Sequence, residues 1–292
     1  MIICNLIGGL GNQMFQYACG TAVSIRTKQP LRIATDQFQN YTLHNGFELQ
    51  RVFHVDTPIA TDTELKDMLG WQSSTRFRYL FVRPFTRWSC SKRCCIEPHF
   101  QYWPAIRDWT GPAYMHGYWQ SEQYFSDVAD RVRQAFRFRQ SWDDADLAVR
   151  LKMGLQPSAS LHVRRGDYTS AKNQSMYAQC DIGYYQTAIQ LLRKRVPDVK
   201  IFAFSDDPDW VISQLVPKFG EMEIVRHNTG MRSANDMRLM SSADHHIIAN
   251  SSFSWWGAWL NPDPDKIVIA PKSWFVDGKK DTDLIPSSWI RI

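Results

Sequence analysis

The sequence has no run of apolar residues long enough to cross a membrane. None of its stretches approaches the roughly 20 consecutive apolar residues that span a bilayer. A basic segment followed by an apolar segment and a cleavage site is also missing, and residues 2–7 read directly as a strand. We therefore expect the protein to work in the cytoplasm.

Patterns typical of zinc sites are missing as well. The six cysteines are not spaced as zinc ligands are. Cys4 falls in the strand-like run and Cys19 in a helix-like run, so we interpret both as buried free thiols of a cytosolic protein. No internal repeat and no low-complexity segment interrupts the chain.

Charge is only slightly unbalanced, whereas tryptophan is abundant. The net charge of +5 and the isoelectric point of about 8.9 are too weakly basic to indicate nucleic acid, yet they suit an anionic small molecule such as a nucleoside diphosphate. The twelve tryptophans favour a carbohydrate ligand, because flat aromatic faces suit sugar rings. Core packing is the ordinary alternative for any single one.

Strand-like and helix-like segments alternate, which predicts an α/β fold with largely parallel sheets and helices on both faces. Strands are predicted at 2–7, 31–34, 160–163, 200–205, 223–225, 246–249 and 266–270. A helix from residue 12 to about 27 separates the first two strands, and another is predicted over 121–139. A polar, aspartate-rich segment near 140–155 predicts a border between two domains, residues 1–150 and 151–292.

The loops that leave such strands at their carboxyl ends are the places where ligands bind. The first is Gly8-Gly9-Leu10-Gly11-Asn12-Gln13, in which glycines let the backbone approach a ligand and expose N–H groups at a helix start. It resembles half of a dinucleotide fingerprint, but Met14 replaces the third glycine. A turn that merely needs positive φ angles is the alternative.

The second loop is His162-Val163-Arg164-Arg165-Gly166-Asp167-Tyr168. Because successive side chains point to opposite sides, one arginine can face a ligand while the other makes structural bonds. The guanidinium fork matches phosphate oxygens. Asp167 can pair with an arginine, orient it or accept a proton, and a surface ion-pair cluster is the alternative.

Two more loops carry polar side chains. The acids of Ser205-Asp206-Asp207-Pro208-Asp209 could hold a metal ion, or accept hydrogen bonds from a guanine base and a ribose, although aspartate before proline also caps helices. The hydroxyls and N–H groups of Asn250-Ser251-Ser252-Phe253 suit a diphosphate at a helix start. Simple capping is again the alternative.

Together these segments resemble the hallmarks of the bacterial α-1,2-fucosyltransferases, glycosyltransferase family 11. The matching segments are residues 8–18, 162–168, 204–208 and 244–260, and residues 116–122 fit the family's middle region. The resemblance covers nearly the whole chain, least clearly residues 55–95. It implies a GT-B-like architecture of two Rossmann-like domains facing a cleft, with an acceptor-side N-terminal domain and a donor-binding C-terminal domain.

The resemblance further implies an inverting transfer of L-fucose from GDP-β-L-fucose to the 2-hydroxyl of a terminal galactose, with no metal or other cofactor. Arg164 would bind the β-phosphate, and Asn12 would lie near the reacting centre. The predicted donor-binding residues are Gly9, Gly11, His162, Arg164, Asp206, Asp207, Asn250, Ser251, Ser252 and Phe253. The predicted catalytic residues are Arg164, Asn12 and Asp167.

The general base and the acceptor site stay open at this point. Asp167 is one candidate base, and the amide of Asn12 could only position the acceptor hydroxyl. The acceptor would be a galactose-terminated oligosaccharide or a lipid-linked glycan. Candidate residues for its site in the N-terminal half are Trp119, Gln120, Tyr124, Asp36, His44 and His99.

Residues 76–93 alternate cations with large apolar side chains, which would allow peripheral contact with the inner, anionic membrane surface. A basic helix over the core is the alternative.

Three other functions fit parts of the sequence. They are a metal-dependent glycosyltransferase that uses the acids at 206–209, an NAD-dependent oxidoreductase and a tryptophan-rich sugar-binding module. The last two leave the paired phosphate-binding loops unexplained.

Overall fold

The computed structural model describes residues 1–39, 44–74, 92–166, 178, 180–276 and 280–292. The described chain forms two compact units: unit 1 is Met1–Arg139 with Thr282–Leu284, and unit 2 is Gln140–Asp281 with Ile285–Ile292. The division falls ahead of the predicted border at residue 150, because the helix Asp144–Met153 packs against a helix of unit 2, Ala234–Met240.

Unit 1 is built on a sheet of four parallel strands in the order β2-β1-β4-β3. The strands are β1 (Ile2–Asn5), β2 (Leu31–Ala34), β3 (Cys94–Ile96) and β4 (Ala113–His116). The first two confirm the predicted strands, although β1 ends earlier than predicted. The sequence does not predict β3 and β4, which are short and depend on pairing with distant parts of the chain.

The helices of unit 1 are α1 (Leu10–Thr27), α2 (Leu49–Val52), α3 (Asp62–Leu69) and α4 (Ala129–Ala135). Helix α1 packs on β1 and β2, with most of its side chains buried. The continuous helix predicted over 121–139 is wrong. Two 3-10 turns, Glu122–Tyr124 and Ser126–Val128, precede α4, because the Ser121 hydroxyl caps the first turn and the non-helical φ of Phe125, −136°, ends it.

Unit 2 contains a sheet of six parallel strands in the order β10-β9-β8-β5-β6-β7. The strands are β5 (Ser158–Val163), β6 (Lys200–Ser205), β7 (Glu223–Val225), β8 (His245–Ile247), β9 (Val268–Ala270) and β10 (Ile290–Arg291). The sheet confirms the predicted parallel arrangement. Every residue of β5 is buried, as expected of a central parallel strand.

The helices of unit 2 cover both faces of this sheet. They are α5 (Asp144–Met153), α6 (Ile182–Arg195), α7 (Ala234–Met240) and α8 (Ser252–Leu260). An irregular helix made of Pro208–Trp210, a π turn at Val211–Leu215 and Val216–Phe219 follows β6. The core beneath α6 joins Leu161, Tyr185 and Ile189, all at most 1% exposed.

No helix in the described part of the chain is both long and apolar enough to cross a membrane. Residues 75–91, which hold nearly all of the segment with predicted membrane contact, lie outside the described residues.

Each sheet has a point where the strand order reverses. In unit 1, β2 lies on one side of β1 and β4 on the other, and in unit 2, β6 and β8 flank β5 in the same way. The loops on either side of such a point diverge and leave a crevice at the carboxyl ends of the strands, where ligands of open α/β sheets bind. The polar loops predicted from the sequence follow β1, β5, β6 and β8, so they start at these two places.

Candidate active site

His162 lies at the strand-order reversal of unit 2, near the end of β5. Its imidazole is 6% exposed, and burial, together with the charge of Arg164, lowers its pKa to about 3. The ring is therefore neutral at physiological pH. Its Nδ1 atom is buried and has no hydrogen-bond partner among the described residues. A buried polar atom without a hydrogen-bond partner lowers the stability of the folded state by about 1–3 kcal/mol, so a ligand that bonds to it would recover this free energy.

The ring of Phe253, in the first turn of α8, lies beside this histidine. The two ring centres are 6.0 Å apart with planes tilted by 41°. Because β5 pairs with β8 through Leu161 and Ile247, the loops after these two strands start side by side. Two of the predicted donor-binding residues are thus neighbours in the structure.

Arg164 follows β5 and is held by Asp206, which follows β6. Nη1 of Arg164 lies 3.0 Å from Oδ2 of Asp206. The Asp206 carboxylate also accepts hydrogen bonds from the backbone nitrogens of Arg165, at 2.8 Å, and Gly166, at 3.0 Å. A Cβ on Gly166 would lie 2.8 Å from Oδ2 of Asp206, so this close approach requires glycine. Asp206 therefore shapes the loop that carries Arg164.

Arg165 makes structural bonds, as predicted for one of the two arginines. Its Nε donates to Oδ2 of Asp207 at 3.2 Å, and its guanidinium lies 4.4 Å above the centre of the Trp210 ring. Asp207 also accepts from the backbone nitrogen of Trp210, at 3.2 Å, and so caps the helix that follows. Both acids therefore serve to position the arginine pair.

The serine-rich loop after β8 divides into a buried and a more open part. The Asn250 side chain is 1% exposed and donates to the carbonyl oxygens of Ala178 and Trp274, the latter at 3.2 Å. The Asn250 side chain therefore joins three segments of unit 2 and does not face outward. Ser251 accepts from the backbone nitrogen of Phe253, at 3.3 Å, which confirms capping, and Ser252 is half-buried at the start of α8.

A second polar group surrounds the strand-order reversal of unit 1. Gly8 has a φ of +77°, and a Cβ there would lie 2.6 Å from Nδ2 of Asn12, so the turn needs glycine. Gly9 precedes α1 as its N-cap, and Gly11 lies buried in its first turn. Oδ1 of Asn12 accepts from Nε2 of Gln120 at 2.6 Å, which links the loop after β1 to the loop after β4.

Two of the predicted acceptor residues are core residues. Trp119 and Tyr124 are both 0% exposed and pack edge to face, with ring centres 5.4 Å apart. The φ of Trp119 is +54°, a left-handed conformation. Gln120 is 7% exposed, whereas His44 and His99 are exposed and Asp36 starts a 3-10 turn, Asp36–Phe38.

Sequence reasoning missed Glu97, which directly follows β3. Its carboxylate accepts from the backbone nitrogens of Tyr118, at 2.7 Å, and Trp119, at 3.0 Å. Burial raises the pKa of Glu97 to about 7. Glu97 therefore holds the loop that leads to Gln120. An acid after a strand is the signal that could have found it, but β3 itself was not predicted.

A buried polar cluster after β7 was missed as well. Asp146 is 1% exposed and accepts from His227 at 2.8 Å, Asn228 at 2.7 Å and Asn235 at 2.7 Å. Burial raises the pKa of the neighbouring Asp236 to about 7. The residues of this cluster are spread along the chain from α5 to α7, so no local sequence pattern predicts the cluster.

The predicted catalytic residue Asp167 lies outside the described residues, and its role stays a prediction. Across the described ranges, no group of three or more histidine, cysteine, aspartate or glutamate side chains is arranged to hold a metal ion.

Comparison with known proteins places this chain in a family. The profile of "Glycosyl transferase family 11" matches residues 106–292. The chain is 35% identical to the alpha-1,2-colitosyltransferase of Escherichia coli, over 100% of this chain and 99% of that protein. It is 29% identical to the O-antigen biosynthesis glycosyltransferase WbnK of Escherichia coli, over 98% and 99% of the two chains.

Relatives extend to mammals, and the fold extends further. The galactoside alpha-(1,2)-fucosyltransferase 2 of Rattus norvegicus is 26% identical over 100% of this chain and 77% of its own. The structure of fucosyltransferase NodZ from Bradyrhizobium superposes with a TM-score of 0.52 at 14% identity, covering 89% of this chain and 92% of that chain. The α/β fold with parallel sheets is thus of the GT-B type. From its sequence profile and its relatives, the chain belongs to glycosyltransferase family 11.

Proposed function

We propose that this glycosyltransferase moves L-fucose from GDP-β-L-fucose to the 2-hydroxyl of a terminal galactose, with inversion, and so forms an α-1,2 linkage. The observation that carries the proposal is the pair formed by Arg164 and the neutral His162 at the strand-order reversal of unit 2. Arg164 provides a cation that can bind a diphosphate, and two residues earlier His162 provides a polar atom that can bond to a nucleoside.

Donor binding follows from the chemistry of these groups. Nδ1 of His162 would bond to the guanosine part. Arg164 would contact the diphosphate, for which the guanidinium fork is suited. The N–H groups at the start of α8, next to Ser251 and Ser252, favour the same negative charge. We also propose that Gly9 and Gly11 contact the donor.

Catalysis in this proposal depends on Arg164 rather than on a metal ion. Fucosyl transfer passes through an oxocarbenium-like state while negative charge builds on the departing GDP. A preorganised cation at that charge lowers the barrier. Asp206 and Asp207 already bond to the two arginines, so binding a divalent ion would require them to give up these contacts. We therefore propose a metal-independent reaction.

A second donor has support from one relative. The alpha-1,2-colitosyltransferase is named for transfer of colitose, which is fucose without its 3-hydroxyl, through the same linkage. GDP-colitose is therefore the alternative donor. A site that hydrogen-bonds the 3-hydroxyl would reject colitose, and a site that packs apolar groups against that position would accept it.

The test is a competition assay. The purified chain would be given equal GDP-fucose and GDP-colitose with lactose or N-acetyllactosamine, with and without excess EDTA, and the product linkage read by NMR. We expect an α-1,2-fucoside at the same rate in EDTA. Preferred transfer of colitose would replace the donor in this proposal, and loss of activity in EDTA would reject the metal-independent mechanism.

We also propose that the enzyme works in the cytoplasm and that its acceptors include lipid-linked glycans at the inner membrane surface. The described cysteines, Cys4, Cys19, Cys94, Cys95 and Cys180, are free thiols, which suits a reducing compartment. Cell fractionation of the native host would test this location.

A further inference from the structure

His44 occupies an unusual backbone position in unit 1. Its φ is +57°, and among the described residues only Lys28 and Trp119 share a positive φ without being glycine. Its side chain is exposed. Residues other than glycine are uncommon at a positive φ, although histidine is among those that adopt it more often, and strained positions of this kind cluster at functional sites.

Gln13 of α1 fixes the segment that carries His44. The Gln13 side chain is 0% exposed, and its Nε2 donates to the carbonyl oxygens of Gly8, at 3.0 Å, and Gly46, at 2.8 Å. Its Oε1 accepts from the backbone nitrogen of Glu48 at 3.0 Å. One buried carboxamide thus joins the glycine turn after β1 to residues 46–48, with all its bonds well formed.

The glycine turn leaves room for the imidazole of His44. A Cβ on Gly9 would lie 3.3 Å from Cδ2 and 3.4 Å from Cγ of His44, so the ring lies against the backbone of Gly9. On the preceding glycine, Gly8, the position of a Cβ is 2.6 Å from Nδ2 of Asn12. Two polar side chains therefore flank one pair of adjacent glycines.

The two side chains offer opposite hydrogen-bonding roles. Oδ1 of Asn12 is engaged by Gln120 at 2.6 Å, which directs the carboxamide so that Nδ2 is its donor. An imidazole has two nitrogens, so one can hold the ring while the other accepts a proton. A hydroxyl needs this pair of partners: a donor to its oxygen and an acceptor for its hydrogen.

We infer that His44 is the general base that deprotonates the acceptor hydroxyl, and that Asn12 orients this hydroxyl. The inference rests on the proposed fucosyl transfer. The acceptor O–H proton moves to an imidazole nitrogen, and the oxygen forms the new bond to C1 of fucose. The bond between C1 and the phosphate oxygen breaks, with its electron pair leaving on GDP.

The first test replaces His44 without straining the backbone. Asparagine tolerates a positive φ and cannot accept a proton near neutral pH. We expect H44N to lower kcat for transfer to lactose at least about a hundredfold, as removal of a general base does. The KM for GDP-fucose and the slow hydrolysis of GDP-fucose without acceptor should not change. Transfer within threefold of the wild type would overturn the inference.

The second test restores the base. Glycine is compatible with the φ at position 44, so H44G would leave an opening beside Gly9. Added imidazole should raise its rate at least about tenfold, and a rate that imidazole does not raise would also overturn the inference. H54Q serves as the matched control, because His54 is exposed and bonds through its backbone nitrogen to Arg137. A wild-type enzyme without fucosyl product would instead reject the proposed function.

Discussion

The Oδ2 atom of Asp206 lies 3.0 Å from Nη1 of Arg164, and the two residues follow neighbouring parallel strands. The carboxylate therefore positions the guanidinium at the carboxyl end of the sheet. Arg164 keeps 27% of its side chain exposed, so it can approach a ligand while this contact persists.

Replacing Arg164 with alanine should lower kcat by at least about two orders of magnitude, because a charge partner at the leaving group contributes about 3–4 kcal/mol to the barrier. Steady-state kinetics with GDP-fucose and lactose measures this. R131A is a suitable control, since Arg131 is exposed and bonds to Gln134 on the same helix. A rate close to that of the wild type in R164A would refute the role of Arg164.

Replacing Gly166 with alanine should weaken donor binding. The new Cβ would meet Oδ2 of Asp206 at 2.8 Å and displace the carboxylate from Arg164. We expect the Kd for GDP, measured by calorimetry, to rise at least about tenfold, a cost of about 1.4 kcal/mol.

The matched control for this change is G154A. A Cβ on Gly154 would come no closer than 3.7 Å to the backbone of α5, and the φ of Gly154, −79°, suits alanine. If G166A binds GDP as tightly as G154A does, the packing of Asp206 against Gly166 has no part in donor binding.

Glu97 should give the stability of the protein a distinctive pH dependence. Burial raises its pKa to about 7 from an ordinary value of 4.5, so the native state holds a proton that the unfolded state has already lost between these pH values. The contribution of Glu97 to the free energy of unfolding is therefore fully present below pH 4.5 and is lost as the pH rises toward 7. Each retained proton changes the free energy of unfolding by about 1.4 kcal/mol per pH unit.

Urea unfolding of the wild type and E97Q at several pH values would measure this contribution. We expect the wild type's free energy of unfolding, relative to that of E97Q, to fall from pH 4.5 to 7 and then level off. A difference that stays constant across this range would contradict the shifted pKa.

The sequence predicts the elements that depend on local pattern. The strand at 200–205 is confirmed at both ends, because an apolar run between a lysine and an acid-rich loop specifies a buried parallel strand. Strands β3 and β4 are short, and the pairing that makes them strands comes from residues far away in the chain. Local periodicity carries no sign of such pairing.

The same distinction applies to the site. His162 lies near the end of one strand that the sequence predicts, and Arg164 and Asp206 directly follow this strand and its neighbour, so their meeting at the carboxyl end of the sheet is predictable. The burial of Trp119 is not predictable in this way. Its residue type suggested a face that stacks on a sugar, but a left-handed φ and the hydrogen bonds to Glu97 direct the loop inward. Glu97 itself depends on the unpredicted β3.

Gln13 constrains how this enzyme could be altered. A leucine there would leave three backbone groups without this partner, the carbonyls of Gly8 and Gly46 and the nitrogen of Glu48, and a glutamate could not donate to the two carbonyls. Libraries intended to change acceptor preference would do best to keep this amide, the proposed base His44 and Gly46, whose φ is +72°, and to diversify Asn45 and Phe47 on a backbone of unchanged shape.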